Sequence, residues 1–177
     1  MSLTAQNIKR SMKDYNEILC LYRSSFPETE QFPVWLLRLM SFRKNVHPLA
    51  FYDGDTFCGF AYFLVNETTV FILFLAVNSK LRSKSYGSQI IAWIKQNYPG
   101  RAIFLDVEKP DAAAANHLER EKRVAFYRRN GILDTNRFFT YDDVTYEILC
   151  TDPAFTEEDY NENLTSYFRV FKRRKNR

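Results

Sequence analysis

The sequence predicts a single α/β (α+β) domain, a mixed and mostly antiparallel twisted sheet flanked by helices. Three observations carry that expectation. Residues 70–77, Val-Phe-Ile-Leu-Phe-Leu-Ala-Val, form an unbroken apolar run rich in β-branched and aromatic side chains, the pattern of a strand buried on both faces. After a short polar, basic stretch, apolar positions recur at Tyr86, Ile90, Ile91, Trp93 and Ile94, which is helical spacing, up to a stop at Tyr98-Pro99-Gly100. A second nearly all-apolar run, residues 102–107, follows and is interrupted only by Asp106. Strand, helix and strand in that order imply one parallel pair with a right-handed crossover, set among hairpins on either side.

The remaining elements follow in order. Residues 3–9 carry a faint first-strand pattern. Tyr15, Ile18, Leu19 and Tyr22 stand at i, i+3, i+4 and i+7 and predict an amphipathic helix over residues 14–25, ended by Phe26-Pro27-Glu28. Val34, Trp35, Leu37, Leu39 and Phe42 predict a second helix over residues 33–44, with Pro33 at its first turn. Residues 48–52 and 56–65 are two β runs joined by Asp53-Gly54-Asp55, a strong hairpin signal, and Asn66-Glu67-Thr68 turns the chain into the 70–77 strand. Residues 108–121 are charged and contain Ala112 to Ala115; a helix then runs to Asn130, with Gly131 as its C-terminal cap. Residues 138–141 and 144–150 form a last hairpin around Asp142-Asp143, and a helix over residues 156–171 closes the chain.

Composition bounds the function. With 177 residues, 46% of them hydrophobic, the chain is long enough for one full core and is expected to form one domain over 1–177. No apolar run approaches the ~20 residues that cross a bilayer, and residues 1–10 lack an apolar signal segment. Cys20, Cys58 and Cys150 are widely spaced and odd in number, which reads as buried free thiols in a reducing compartment and suggests a cytoplasmic protein. The two histidines, His47 and His117, form no ligand cluster, so no metal is expected. The net charge is +4, but Arg169, Lys172, Arg173, Arg174, Lys175 and Arg177 supply six positive charges, leaving 4 − 6 = −2 for the rest. The body is therefore near neutral with a basic end at 169–177. Such a run is usually a solvated end, and no aromatic RNA-binding signature accompanies it.

The strand–loop–helix unit has a chemical use. The first amides of a helix lack intrahelical partners and the helix dipole is positive there, so a loop feeding that terminus can hold phosphate through backbone N–H groups. Arg82 and Lys84 add side-chain charge at the same place; an ordinary turn with solvated basic residues has the same composition. There is no G-x-x-x-x-G-K-S/T and no G-x-G-x-x-G, which excludes a P-loop and a dinucleotide fingerprint. Leu75-Ala76-Val77-Asn78-Ser79-Lys80-Leu81-Arg82-Ser83-Lys84-Ser85-Tyr86-Gly87-Ser88 does resemble the acyl-CoA loop of the GNAT superfamily of N-acetyltransferases, Gln/Arg-x-x-Gly-x-Gly/Ala after a strand and before a helix. Arg82 holds the first position and Gly87 the last, while Ser85 stands where the family usually has its first glycine. A serine forced into a left-handed conformation costs ~1–2 kcal/mol, so the expectation is a loop that is not left-handed here or binding that is weakened. A second point of resemblance, Tyr-x-x-x-Gly-Phe/Ile, is met by Tyr127 to Ile132. The asparagine usual seven residues before that tyrosine is replaced by Arg120, and Asn116 lies further upstream. The resemblance covers residues 50–150 well and the two ends poorly.

The resemblance implies a GNAT-like sheet of six to seven strands, with one central parallel pair splayed around the cofactor. It implies an acetyltransferase that moves the acetyl group of acetyl-CoA to a primary amine of a small molecule or peptide by direct attack. The protein would be a monomer or homodimer without membrane or nucleic-acid partners. Backbone groups of Ala76 and Val77 would pair with the pantetheine arm like an added strand. Arg82 and the amides of Ser83, Lys84, Ser85, Tyr86, Gly87 and Ser88 would hold the pyrophosphate, with Asn116 a further CoA contact. Tyr127 matches the family's proton donor to the departing sulfur. An amine with a pKa of ~10.4 is almost entirely protonated at pH 7, so a base matters: Glu108, at a strand end, is the first candidate. Glu28, in the joint between the first two helices that often shapes the acceptor site in the family, is the second. Two other classes compete, a CoA-binding module without transfer activity and a nucleic-acid-binding protein using the basic tail.

Overall fold

The structure, a computed structural model, describes residues 3–81, 85–112, 114, 116–141 and 143–172. The chain divides into two compact units, Met1–Arg101 and Ala102–Arg177.

The first unit contains β1 (Thr4–Asn7), α1 (Tyr15–Ser25), a 3-10 turn (Glu28–Glu30), α2 (Val34–Met40), β2 (Val46–Asp53), β3 (Thr56–Val65), β4 (Thr69–Val77), a second 3-10 turn (Ser79–Leu81) and α3 (Tyr86–Asn97). The strands run β1-β2-β3-β4, each antiparallel to the next. The turns are local chemistry. Gly54 takes φ +60 between β2 and β3, the left-handed conformation for which glycine is suited. Between β3 and β4 the side-chain oxygen of Asn66 accepts from Thr68 N at 2.9 Å and Thr69 N at 2.6 Å, an Asx turn. α1 buries Ile18 and Tyr22, and the Tyr22 ring meets Phe74 edge-on at 5.0 Å and Phe60 at 6.3 Å. The Tyr22 hydroxyl also accepts from Phe32 N at 2.7 Å and donates to Phe32 O at 3.1 Å, tying the α1–α2 joint to α1. α2 ends at Met40, four residues short of the expected 44. Its apolar positions do not form one inward stripe, since Trp35 is 66% exposed and Leu39 55%. Cys20, expected buried, is exposed: it lies two residues from both Ile18 and Tyr22, on the other side of the helix. Cys58 and Cys150 are free and buried as expected.

The second unit contains β5 (Ala102–Glu108), α4 (His117–Arg129), β6 (Leu133–Tyr141), β7 (Val144–Cys150) and α5 (Glu157–Lys172). β7 lies between β5 and β6 and is antiparallel to both. β6 begins at Leu133, five residues before the expected start at 138. Leu133 and Asp134 pair with Cys150 and Leu149, and a register shift before Phe138, with Asn136 at φ +55, breaks the alternation by which a sequence shows a strand. α4 stops where expected: Gly131 takes φ +70, its N–H donates to Arg128 O at 2.9 Å, and Ile132 N donates to Tyr127 O at 3.1 Å. That is a Schellman cap, and it explains the spacing of Tyr127, Gly131 and Ile132, since the residue after the glycine must reach back to the tyrosine carbonyl. α5 opens on a reciprocal cap in which Thr156 and Asp159 exchange hydrogen bonds of 2.7 and 3.1 Å. Its early residues close over β5, Phe155 stacking on the fully buried Phe104 at 4.8 Å and Tyr160 meeting it edge-on at 5.9 Å. Burying a ring of that size stabilises by roughly 1.5–3 kcal/mol. Among the described residues no helix is long and apolar enough to cross a membrane.

Candidate functional site

β4 changes character along its length. Ile72 pairs with Phe63 and Phe74 with Tyr62, so Leu73 has no partner of its own on β3 and forms a β-bulge. Val70, Phe71 and Ile72 are buried, as expected for a strand covered on both faces. Beyond the bulge the expectation fails: Phe74 and Ala76 are buried, but Leu73, Leu75 and Val77 are only half-buried, so one face is partly open. Within its unit β4 is the last strand, with one edge on β3. Gly59 of β3 sits opposite Val77, and a Cβ added there would stand 2.4 Å from Ala76 O and 3.0 Å from Val77 Cα. Glycine is what lets β3 press against the backbone of Ala76 and Val77.

The turn after β4 is held by Asn78. Its N–H donates to Cys58 O at 2.8 Å, its side-chain amide donates to Glu17 Oε1 at 3.0 Å and Phe57 O at 3.3 Å, and its side-chain oxygen accepts from Lys80 N at 3.2 Å. Arg82, Ser83 and Lys84 lie outside the described residues. Ser85 is the N-cap of α3 and takes φ +57, ψ 22, a left-handed conformation. Of the two outcomes expected for a serine at this position, a non-left-handed loop is therefore not the one adopted. The Ser85 side chain caps nothing, so the first amides of α3, those of Tyr86, Gly87 and Ser88, have neither an intrahelical acceptor nor a side-chain cap from Ser85. Tyr86 and Gly87 are buried, Ser88 half-buried. The Tyr86 hydroxyl donates to Asp53 Oδ2 at 2.8 Å, pinning the helix start to the β2–β3 hairpin; that bond, with burial, pushes the phenol up to about 12.

The first unit also holds a cavity of about 470 Å³ under α1 and α2. Its floor is Tyr22, Leu37, Phe60 and Phe74, and the exposed Lys9 and Arg38 stand at its mouth; no acidic residue lines it. Glu28, on the 3-10 turn between the two helices, is exposed and does not line this cavity.

In the second unit Tyr127 lies on α4, 7% exposed, and no described residue makes a hydrogen bond to its hydroxyl. Burial pushes the phenol up to about 12; Arg123 acts against that shift and Asp106 with it. Glu108, at the end of β5, is also 7% exposed, and its Oε2 is 2.9 Å from Arg120 Nε. Arg120 thus occupies the family's asparagine position and spends its charge on Glu108, while its Nη1 donates to Lys109 O at 3.2 Å. Asn116 is the N-cap of α4; its side chain caps nothing, and its carbonyl accepts from Glu119 N and Arg120 N. Sequence reasoning passed over Asp106 as a functional residue. It is half-buried on β5, the Tyr160 hydroxyl donates to it, and burial pushes its carboxyl up to about 6. The signal was present as the one polar break in an apolar strand.

The sequence model of the Acetyltransferase (GNAT) family matches residues 14–132 of this chain. No curated protein matches it in sequence. Among solved structures, a GNAT-family protein from Bacteroides thetaiotaomicron superposes with a TM-score of 0.77 at 22% identity, over 95% of this chain and 97% of its own. The aminoglycoside 6'-N-acetyltransferase from Enterococcus faecium does so with a TM-score of 0.60 at 15% identity, covering 86% and 98%. A GNAT family acetyltransferase from Elizabethkingia anophelis, solved with acetyl-CoA bound, gives 0.58 at 10% identity, covering 85% and 98%. At these identities the likeness shows the fold, which is the one expected from the sequence.

Proposed function

The chain belongs to the GNAT acetyltransferase family, and on that footing we propose that it is an N-acetyltransferase transferring the acetyl group of acetyl-CoA to a primary amine of a small molecule or peptide. The observation that carries this reading is the backbone of Ser85. The residue that departs from the family pattern nevertheless takes the left-handed conformation for which a glycine would be selected, so the turn into α3 keeps a shape that leaves helix N-terminal amides for an anion.

In this reading the whole chain serves as one acetyltransferase domain. The backbone of Ala76 and Val77 pairs with the pantetheine arm. The amides of Ser85, Tyr86, Gly87 and Ser88, with Ser83, Lys84 and the Arg82 side chain, hold the pyrophosphate; Asn116 adds a polar contact. Acetyl-CoA supplies the activated acyl group as a thioester. Tyr127, a buried phenol whose hydroxyl has no hydrogen-bond partner among the described residues, gives a proton to the departing sulfur. Glu108, bound to Arg120, and Glu28, exposed on its turn, are carboxylates available for proton removal. The cavity under α1 and α2 supports an acceptor with an apolar body. With Lys9, Arg10 and Arg38 among its lining and no acid, it suits a polycation such as an aminoglycoside poorly. The buried free thiols of Cys58 and Cys150 favour a reducing compartment, and we place the enzyme in the cytoplasm.

The test has two arms. CoA at a hundredfold excess over its Kd should stabilise the fold by about 2.7 kcal/mol, because it binds only the native state. A panel of amines with acetyl-CoA, followed by thiol release, should find an acceptor. A melting curve unmoved by millimolar CoA overturns the reading; CoA binding without turnover on any amine reduces it to a CoA-binding module.

A further inference from the structure

The cavity under α1 and α2 is built wholly from the first unit, with a lining that runs in sequence from Asn7 to Phe74. At about 470 Å³ it has the size of a small-molecule site, ~300–1,000 Å³. Much of its buried lining is aromatic: Tyr22, Phe60, Tyr62 and Phe74. Tyr22 and Tyr62 meet Phe74 edge-on at 5.0 and 6.4 Å. Both phenol oxygens are already committed. Tyr22 exchanges hydrogen bonds of 2.7 and 3.1 Å with the Phe32 backbone, and Tyr62 donates to Leu37 O at 2.8 Å. A guest therefore meets rings there, and what those rings reward is the burial of apolar, above all aromatic, surface.

The mouth is cationic. Lys9, Arg10 and Arg38 are exposed, none of them is in an ion pair among the described residues, and no acid lines the cavity. The acids at the start of α1 are engaged elsewhere: Asp14 accepts from the Tyr52 hydroxyl at 3.2 Å and Glu17 from the Asn78 amide at 3.0 Å. Unneutralised cations around an apolar interior select a guest with an apolar body and an anionic group, and repel a guest with several positive charges. Phe74 links the cavity to the reaction. Ala76 follows it two residues along β4 on the same face, about 7 Å on, and the Ala76 backbone is where the reading above places the pantetheine arm.

We propose that the acceptor, in the transfer reaction on which this inference rests, is a primary amine with an aromatic body and a carboxylate, an aromatic amino acid being the simplest case. The ring fills the cavity and the carboxylate meets Lys9 and Arg38. The cations of the mouth also disfavour the ammonium form of the amine, which eases the loss of its proton. The acetyl carbon exchanges its C–S bond for a C–N bond. Of the two protons that the ammonium gives up, one ends on the CoA sulfur and one in solvent.

N-acetyl-L-tryptophan, the product of such an acceptor, probes the cavity by titration calorimetry on the full chain with no need for turnover. It should bind, and N-acetyl-L-tryptophanamide, which lacks only the charge, should bind ~5-fold or more weakly, the scale of exposed ion pairs. High salt should narrow that difference. N-acetylglycine, which keeps the carboxylate and lacks the ring, should bind at least ~10-fold more weakly than the tryptophan acid. Arg38→Glu alters an exposed side chain, so the free protein should melt as the wild type does while the acid loses its advantage over the amide. L-Tryptophan should be acetylated, with KM raised and kcat kept in Arg38→Glu. Equal affinity for acid and amide, or a preference unchanged in both Arg38→Glu and Lys9→Glu, overturns the inference. An enzyme that acetylates other amines of the panel but no aromatic amino acid overturns it alone. A protein that shows the binding preferences and acetylates nothing overturns the transfer reading and the acceptor role with it, leaving the cavity as a binding site for such acids.

Discussion

Replacing Asp106 by asparagine should make the protein more stable at neutral and alkaline pH. The native carboxyl is pushed from 3.8 to about 6, chiefly by burial and against the Tyr160 hydrogen bond. A folded-state pKa above the unfolded one means that the native state holds the proton more tightly. Stability is therefore greatest below the unfolded value and falls as pH rises through the folded one. By pH 8 the ionised carboxylate costs about 2–3 kcal/mol, at ~1.4 kcal/mol per pKa unit. Asparagine stands in for the neutral acid and still accepts from Tyr160, so the variant should recover most of that cost. For a chain of this length the gain corresponds to a rise in Tm of roughly 4–12 °C. Urea unfolding of both proteins from pH 4 to pH 8.5 reads it directly: the curves should converge toward the acid end, part as pH rises to about 6, and run parallel at higher pH. An asparagine variant less stable than wild type across the whole range would refute the reasoning, because it would show the charge to be fully compensated and Asp106 to be an anchor for α5.

Gly59→Ala drives a Cβ to 2.4 Å from Ala76 O, and because the obstacle is backbone the strands must part. A loss of about 1–3 kcal/mol and weaker CoA binding through the displaced end of β4 should follow, and an unchanged Tm with unchanged affinity would contradict the close approach. Tyr127→Phe keeps the ring packing and should lower kcat toward the low end of the ~10²–10⁴-fold range for general acids, with CoA affinity retained; the loss should shrink with a thioester of more acidic thiol. Ser88→Glu puts a carboxylate on a half-buried position in the first turn of α3, where the helix dipole tolerates it, so the protein should fold while CoA affinity falls at least tenfold by titration calorimetry. Thr156→Ala removes the cap of α5 and should cost about 1 kcal/mol. Because the Thr156 bonds hold the Asp159 carboxyl below its ordinary value, the cap contributes above the unfolded carboxylate pKa and is lost as pH falls through the folded one, so thermal melts of the two proteins should converge in acid.

What the sequence shows depends on whether the cause is local. The cap at Tyr127, Gly131 and Ile132 was legible because all its hydrogen bonds lie within six residues. The β2–β3 turn at Gly54 and the inward stripe of α3 at Ile90, Ile91 and Ile94 were legible for the same reason: each is set by spacing along the chain. The bulge at Leu73 was not, because the extra residue exists only relative to the register of β3, and Leu-Phe-Leu has no composition that announces it. The start of β6 was hidden by the pairing of Leu133 with Cys150, a partner seventeen residues away. Asp106 was visible as a residue but not as a group: its carboxyl is raised by burial and held back by Tyr160, and neither cause is adjacent in sequence.

The two departures from the family pattern differ in consequence. At Ser85 the backbone takes the left-handed conformation, so the substitution at that position changes the energy and not the backbone conformation. The strain of ~1–2 kcal/mol is small against what fixes the helix that follows. Ile90, Ile91 and Ile94 are buried, each contributing roughly 1.5–3 kcal/mol, and Tyr86 is bonded to Asp53. A loop anchored that firmly on its helical side can carry a serine. At Arg120 the substitution reaches a candidate base, Glu108, instead. Arginine there supplies Glu108 with a counter-charge at 2.9 Å, which an asparagine would not. Among the described residues Asp106, on the same face of β5, has no such ion pair. The exchange at one helix position thereby ties the end of β5 to α4 through an ion pair.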